Sequence, residues 1–454
     1  MQYPHQICKK QIYLHSLMNR QILRLALPNI ISNITVPLMG IVSTAIAGHW
    51  GDDSAHTIGA LAIGVSIFNF IYWNCSFLRM GTSGMTAQAY GAGNFAECSA
   101  MLARAMTVSA VLGAAVLVLQ YPLGELSLRI MNGDSLVSDY FYARIWAVPA
   151  GIILFGFNGW FTGMQNAVIP MCTSITVNLV HIGCSLWFAF GCDMGIVGIA
   201  YGSVVAQYTG VALSALLLVL RYRKMLTKPD WSRVLDKREL REFFSVNRDI
   251  IIRTFCIVSV YTFFTAASSR MDDPAMLAVN TMLLQLFTMF SYMSDGFAYA
   301  AEALTGRFIG AGDRHSLRDC IRKCVVWSLG VSALFVGIYI VWWQDIFDLF
   351  LSDAADNSAI LASARRYIGW VIAVSFVSSL PFLLDGVMVG ATMTRIMRNS
   401  LIVSTAAYFI IFYAFSPFIG NDALWMAFTA FMVVRGAAQY LMSDRLHRVY
   451  DNAR

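Results

Sequence analysis

The chain has 454 residues, of which 58% are hydrophobic and 13% are charged, and its formal net charge is +6. Soluble domains contain about 25% charged residues, so this composition excludes an ordinary soluble protein and predicts an integral membrane protein. The basic residues lie in short segments between apolar runs and form no basic face, which argues against nucleic acid as a partner.

The first apolar run, residues 22–49, is long enough to cross a bilayer, because a span takes about 20 helical residues. It contains Pro28 and Pro37, and an internal proline removes a backbone donor and kinks a helix. We therefore predict a helix-bending role for both prolines, in a first helix that moves or lines a path. Residues 1–18 are mostly polar, and the apolar run after them is too long for a signal peptide, so we predict a disordered cytoplasmic tail.

Twelve apolar spans follow one another along the chain, and each is predicted to be a transmembrane helix. Their approximate bounds are 22–49, 57–89, 101–121, 140–164, 168–191, 195–221, 249–269, 275–309, 322–343, 366–392, 399–417 and 422–442.

One long polar stretch, residues 222–246, separates the first six spans from the last six. This pattern predicts an all-α membrane protein with two six-helix lobes. The N-lobe would cover residues 19–221 and the C-lobe residues 247–446, with a cytoplasmic linker between them and a cytoplasmic tail over 447–454.

Charged residues are distributed unequally between alternate loops. Loops after even-numbered spans are basic, as at Arg314 and Arg318, whereas loops after odd-numbered spans are mostly acidic, as at Asp52 and Asp53. By the positive-inside rule, this distribution predicts that both termini are cytoplasmic.

The two halves of the chain share three short patterns, each after the same span of its half. They are GDDSA (51–55) with MDDPA (271–275), YGAGN (90–94) with IGAGD (309–313), and FTGMQNAVIP (161–170) with MVGATMTRIM (388–397). Because each half has an even number of spans, the repeats are predicted to be parallel, related by an axis along the membrane normal. Such repeats are typical of transporters, with the substrate path between the lobes.

Three carboxylates lie inside predicted spans, and all three are in the second half: Asp295, Glu302 and Asp385. A carboxylate at the centre of a span costs about 2.5–3.5 kcal/mol on insertion scales, so each is a candidate cation-coupling residue. The alternative for each is a structural hydrogen bond to a neighbouring helix. Asp249 and Arg253 lie one helical turn apart at the start of span seven, which predicts a structural or gating ion pair.

The first half has no carboxylate in the middle of a span, but it has His181. Asn178 and Ser185 share its helix face, and Asn33 and Ser43 of the first span are further members of a predicted N-lobe polar cluster. Two interpretations stay open: a satisfied core histidine, and a proton site, for which an ordinary histidine pKa near 6.5 is suitable.

These features resemble the multidrug and toxic compound extrusion (MATE) family, and in particular its DinF-like branch. The resemblance extends from Leu23 to about Arg445, and it rests on LALPNIISNITVPLMGIVSTAIAGH, LRMGTSGMTAQAYGAGN, NRDIIIR, DGFAYAAEALTG and LLDGVMVGATMTRIMRNS. It implies two six-helix lobes around a central cavity. It also implies export of amphipathic, often cationic compounds by alternating access, driven by inward H⁺ or Na⁺.

Matched by position, the resemblance implies roles for individual residues in both lobes. Pro28 corresponds to the proline at which the first helix bends, and Asp385 to the aspartate of helix ten that is associated with cation coupling. Asp295 stands where DinF-like members carry an acid in helix eight.

The N-lobe departs from the family pattern at four positions. Ser43 replaces the aspartate of helix one, His181 and Ser185 stand in the N-x-x-x-D pattern of helix five, and Ser203 replaces a common threonine of helix six. Hydroxyls and an imidazole supply no negative charge for Na⁺, so H⁺ is favoured over Na⁺ as the coupling ion. Either His181 is the proton site, or coupling has moved to the C-lobe acids.

No motif of an ATPase, a zinc protease or a serine hydrolase is present, so we predict neither an enzyme nor a cofactor or metal site. One alternative function is a flippase for lipid-linked precursors, which should have a strongly basic central cavity, whereas the mid-span charges are mainly acidic. The other is a non-transporting paralogue that has lost coupling. We expect a monomer in a bacterial inner membrane that handles small amphipathic molecules.

Overall fold

The computed structural model describes residues 3–50, 54–227, 231–234, 236–270, 274–350 and 358–443. All the regular secondary structure in these ranges is helical. The α-helices are α1 (Tyr3–Gly48), α2 (Ser54–Cys75), α3 (Phe77–Gly91), α4 (Phe95–Val118), α5 (Gln120–Met131), α6 (Ser135–Arg144), α7 (Val148–Gly163), α8 (Val168–Leu186), α9 (Gly195–Tyr222), α10 (Trp231–Val234), α11 (Lys237–Ser269), α12 (Pro274–Gly310), α13 (Arg314–Phe350), α14 (Ser358–Gly390), α15 (Thr394–Ile419) and α16 (Asn421–Met442). A 3₁₀ turn, Ile145–Ala147, joins α6 to α7, and a π-helical turn, Trp187–Gly191, follows α8.

Eleven helical segments of the described residues are long and apolar enough to cross a membrane. They are Leu17–Gly48, Ala55–Gly91, Phe95–Val118, Ser135–Gly163, Val168–Gly191, Gly195–Tyr222, Lys237–Ser269, Met276–Gly310, Arg314–Asp348, Leu361–Gly390 and Thr394–Ile419. The twelfth predicted span is helical as α16, but it is less apolar because it contains Asp422, Arg435 and Gln439. The predicted all-α membrane fold is therefore confirmed.

The first helix differs from its prediction at its start. It begins at Tyr3, so most of the segment 1–18 is helical and not a disordered tail. It also continues as one helix through Pro28 and Pro37. The Ser32 hydroxyl donates to the carbonyl of Pro28 (3.0 Å), a type of bond that often bends helices. The bending role of the two prolines stays a prediction.

The chain divides into two compact units whose boundaries fall inside α1 and α11. Unit 1 comprises Met1–Ala26 with Arg248–Arg454, and unit 2 comprises Leu27–Asn247. The predicted linker is part of unit 2, since Arg104 of α4 donates through Nε to the carbonyl of Val234 at 3.4 Å. The start of α1 is part of unit 1, where Trp327 donates to the side chain of Asn19 at 3.3 Å.

Aromatic rings form much of the buried core of each unit. In unit 1, Phe264 lies edge-to-face against Trp425 with ring centroids 5.0 Å apart, and Phe287 lies in the same way against Phe428 at 5.2 Å. In unit 2, Trp160 lies edge-to-face against Tyr222 at 5.0 Å. Such pairs contribute about 0.5–1.5 kcal/mol beyond the area that they bury, so these cores hold the helices that carry the polar residues.

The pattern YGAGN and its counterpart IGAGD form the same turn in the two units. Gly93 has φ +70° and Gly312 has φ +67°, a backbone conformation that favours glycine. The next residues, Asn94 and Asp313, donate their N–H to the carbonyl five residues earlier, at 2.9 and 3.0 Å. Each side chain then caps the following helix by accepting the N–H three residues later, at 3.0 Å. Hydrogen bonds from Ser316 lower the pKa of Asp313.

The third repeated pattern also forms a matching turn in each unit. Gln165 and Thr392 have φ of 61° and 54°. The N–H groups of Asn166 and Met393 bond to the carbonyl five residues earlier, at 2.9 and 2.8 Å. These two pairs of turns confirm the internal repeat in the backbone itself. The remaining pair, GDDSA with MDDPA, begins outside the described residues.

Glycines two residues before this third pattern allow two helix backbones to touch in each unit. A Cβ on Gly159 of α7 would lie 2.4 Å from the carbonyl oxygen of Arg79 in α3. A Cβ on Gly386 of α14 would lie 2.1 Å from the carbonyl oxygen of Ala298 in α12. Neither backbone can move without displacing its helix, so only glycine fits at these positions.

Gly386→Ala is therefore expected to destabilise the protein by about 1–3 kcal/mol, because the added methyl group forces α14 away from α12. Thermal unfolding of the purified protein in detergent measures the effect. Gly369→Ala is the matched control, since Gly369 lies in the same helix and has nothing within 4 Å of an added Cβ. Equal unfolding temperatures for the two variants would show that this helix contact does not limit stability.

Candidate functional site

The predicted N-lobe polar cluster is centred on His181, which lies on α8 in unit 2 and is 5% exposed. Its Nε2 is 3.1 Å from the hydroxyl of Ser43 on α1, and its Nδ1 is 3.2 Å from the hydroxyl of Ser203 on α9. Three helices thus bring together three of the predicted residues, and both ring nitrogens are hydrogen-bonded.

The hydrogen bonds around this ring are compatible with two protonation states. The Ser203 hydroxyl can donate to the carbonyl of Ile199 (3.3 Å), which leaves its oxygen free to accept Nδ1–H. In the neutral ring, Nε2 then accepts from Ser43. In the charged ring, Nε2–H donates instead, and the Ser43 hydroxyl accepts after rotating. The three side chains can therefore hold the ring with or without the extra proton.

The other predicted members of the cluster do not bond to this ring. Among the described residues, the hydrogen bonds of His181 are those to Ser43 and Ser203. Ser185 is fully buried against Gly202, and its hydroxyl has no partner in the described part of the chain. Further along these helices, the other two predicted members, Asn178 and Asn33, are half-buried. The cluster that forms is smaller than the predicted one.

An arginine that was not among the predicted site residues lies beside this cluster. Arg144 ends α6, donates to the hydroxyl of Tyr140 and lies over the ring of Phe68, 4.9 Å from its centroid. It is close enough to His181 for their charges to interact. The available signal was its position inside predicted span four, since a cation within a span is as unusual as an acid.

In unit 1, Asp385 of α14 is 5% exposed and is surrounded by cationic and amide donors. Arg253 of α11 donates to Oδ2 through Nε at 3.0 Å and again through a terminal nitrogen. Arg435 of α16 donates to the same oxygen, and Gln439, one turn further along α16, donates to Oδ1. The acid was predicted from the sequence, but Arg435 and Gln439 were not, although their spacing places them on one helix face.

The predicted ion pair between Asp249 and Arg253 is wrong. Asp249 is 1% exposed and accepts instead from Arg398 (2.7 Å) and from the hydroxyl of Thr394 (3.2 Å). Both partners lie in the first turns of α15, where the helix dipole also favours a carboxylate. Arg253 faces Asp385, because a buried carboxylate on an adjacent helix requires a counter-charge.

The two other predicted acids, Asp295 and Glu302, both lie on α12 but have different neighbouring residues. Glu302 is 1% exposed, and its backbone carbonyl lies against Gly390, where a Cβ would be 2.3 Å away. Asp295 is half-buried and close enough to Tyr261 and Tyr292 for electrostatic interaction. Within the described ranges, neither acid is among the hydrogen-bonding partners of Asp385.

Comparisons with known proteins point to one family. The MatE family model matches residues 28–187 and 250–418, which is most of the chain. DNA damage-inducible protein F of Escherichia coli (strain K12) is 33% identical over 421 residues, covering 91% of this chain and 89% of that protein. A probable multidrug resistance protein NorM of Thermotoga maritima is 22% identical over 352 residues, covering 74% of this chain and 72% of that protein.

Solved structures share the same fold. The crystal structure of the Vibrio cholerae MATE transporter VcmN in its bent form superposes with a TM-score of 0.82 at 16% identity, covering 96% of this chain and 98% of that chain. An outward-facing multidrug resistance MATE family transporter of the MOP superfamily superposes with a TM-score of 0.85 at 15% identity, covering 96% and 97%.

Proposed function

Because the chain belongs to the multidrug and toxic compound extrusion (MATE) family, we propose that it is a proton-driven exporter of small amphipathic compounds. A twelve-helix, two-lobed architecture is typical of this family, and the chain is a multi-pass membrane protein. We place it as a monomer in a bacterial inner membrane, with both termini cytoplasmic. The bacterial relative and the distribution of loop charges support that placement.

The observation that carries the proposal is the hydrogen bonding of His181 between Ser43 and Ser203. An antiporter needs a group that gains a proton on one side of the membrane and loses it on the other. These side chains can hold the imidazole in both states by rotating one hydroxyl, without rearrangement of the helices. Alternating exposure of His181 to the two sides would then exchange one proton for one step of substrate export.

The same cluster argues against Na⁺ in unit 2. Hard cations bind best to carboxylate and carbonyl oxygens, and a carboxylate also compensates the charge. Ser43, His181 and Ser203 offer two hydroxyls and an imidazole, with no negative charge among them. A proton needs no such oxygen cage, because it binds covalently to the ring.

Comparing transport driven by a pH gradient with transport driven by a Na⁺ gradient tests the proposed proton-driven export. In proteoliposomes loaded with a fluorescent amphipathic cation, an imposed pH gradient is expected to drive transport. A Na⁺ gradient of equal size at constant pH and clamped membrane potential is expected to drive none. Transport driven by Na⁺ alone would contradict proton coupling.

The same preparation separates the two alternative functions. A non-transporting paralogue would show no counterflow of labelled substrate with either gradient. A lipid flippase would move a fluorescent lipid-linked pyrophosphate and not the amphipathic cation. Arg435 is buried and Arg144 and Arg253 are half-buried, and these arginines favour testing this second outcome, although Asp385 already binds Arg253 and Arg435.

A further inference from the structure

The carboxylate of Asp385 is held by four N–H groups of the protein, three on Oδ2 and one on Oδ1. A carboxylate offers about four acceptor sites, and Asp385 receives two N–H groups from Arg253, one from Arg435 and one from Gln439. Bonds from guanidinium to carboxylate are charge-assisted and are stronger than neutral hydrogen bonds. A proton or a metal cation would therefore meet a carboxylate whose negative charge is already compensated by two guanidinium groups.

Arg435 is the donor least able to leave. It is 1% exposed, and besides Asp385 its surroundings include the sulfur of Met432 at 3.9 Å and the ring of Phe382 at 5.5 Å. Tyr261 and Arg253, both on α11, are also close enough to interact with its charge. A guanidinium does not give up its proton in proteins, so Arg435 stays charged and requires an anion. Among the described residues, Asp385 is the carboxylate that pairs with it.

The packing of α16 against α14 holds Arg435 at this position. Gly436, the next residue, lies against Pro381 of α14, where an added Cβ would be 3.3 Å from the proline ring. Gln439 lies one turn further along α16 and reaches the other oxygen of Asp385. Two adjacent turns of one helix therefore hold both oxygens of the carboxylate.

The equivalent position in unit 2 carries no charge. Asn158 and Asp385 each lie three residues before the third repeated pattern, and each precedes a closely packed glycine. The side chain of Asn158 is a neutral amide, so it needs no counter-charge. The titratable group of the unit 2 cluster is instead His181. One repeat thus carries a group that can exchange a proton, and the other carries an acid whose charge is compensated by two arginines.

We propose that Arg435 is an internal counter-ion that closes Asp385 to protons and metal cations, and that it thereby confines ion exchange to unit 2. This inference rests on the proposed transport function. Arg435 acts as a positioning residue: it acts through Asp385, and it determines which of the buried titratable groups takes part in exchange.

The first test removes the two arginines that pair with Asp385. The double variant Arg253→Gln with Arg435→Gln leaves Asp385 without a cationic partner. The purified double variant is expected to show stoichiometric proton uptake, followed as the infrared band of a protonated carboxyl group, or binding of radioactive Na⁺. Further substitution of Asp385→Asn should abolish either signal. The wild-type protein and the matched variant Arg366→Gln, which breaks an exposed pair with Asp422, should show neither.

The second test uses a variant in which the whole cluster is neutral. Arg253→Gln, Asp385→Asn and Arg435→Gln together leave no uncompensated buried charge, so this triple variant is the one expected to fold if the double variant does not. It is expected to retain transport driven by a pH gradient. A folded triple variant that binds substrate but has lost proton coupling would overturn the inference, and so would an Asp385-dependent Na⁺ or proton signal in the wild-type protein. Failure of the proposed function is distinct, because it appears in the wild-type protein as transport driven by a Na⁺ gradient alone or as no transport with either gradient.

Discussion

Asp385→Ala is expected to destabilise the protein by about 3–5 kcal/mol, because the substitution leaves the buried guanidinium of Arg435 without an anion. Chemical or thermal unfolding in detergent measures the loss. Arg366→Ala is the matched control, since it breaks an arginine–aspartate pair in the same unit whose arginine side chain is 68% exposed. That exposed pair is expected to contribute only about 0–1 kcal/mol.

A double-mutant cycle shows whether the buried charges are the cause. If they are, removing Arg435 as well as Asp385 should cost less than the sum of the two single substitutions, because the fully buried guanidinium is then no longer left without an anion. Additive losses would mean that packing, and not the ion pair, dominates at this site. A loss for Asp385→Ala no larger than for the control would contradict the prediction outright.

His181→Ala is expected to abolish transport driven by a pH gradient while leaving counterflow of substrate measurable. The ring is the titratable group of the cluster, and the hydroxyls of Ser43 and Ser203 do not change their charge over the physiological pH range. Counterflow needs only substrate binding and alternating access, so it reports on the carrier without the proton. The measurement compares the two rates in the same proteoliposome preparation.

His49→Ala is the control for this substitution. His49 lies just after the end of α1 in the same unit, is exposed, and bonds through Nδ1 to the carbonyl of Ala45 at 2.8 Å. Its replacement should leave both rates as in the wild-type protein. If His181→Ala also kept its full proton-driven rate, the coupling group would have to be elsewhere, and the half-buried Asp295 would be the next acid to test.

The sequence predicted the helices and the repeated turns well because both depend on local properties. A span is recognised from its length and apolar content, and the glycine of YGAGN and IGAGD is required by the positive φ of one turn. The capping roles of Asn94 and Asp313 involve a donor only three residues away. The start of α1 is where a local rule failed, since polar residues before an apolar span are also compatible with helix.

The partners of the charged residues were harder to predict. The spacing of Asp249 and Arg253 satisfies the helical rule for an ion pair, yet Asp249 binds Arg398 and Arg253 binds Asp385. A surface pair of this kind contributes only a few tenths of a kcal/mol, about 0.2–0.5. Leaving a buried carboxylate unpaired costs several times more, so the partner on another helix is preferred.

The sequence by itself determined the all-helical membrane fold, the two repeated halves and the residue types available for proton exchange. The order of residues alone shows how long each apolar run is, where proline and glycine occur, and which charges lie within a span. Only the tertiary structure decided that His181 bonds to Ser43 and Ser203 and that Arg435 donates to the carboxylate of Asp385. The physical reason is that helical periodicity specifies which side chains share a face, whereas the packing of distant helices selects the face that each one meets.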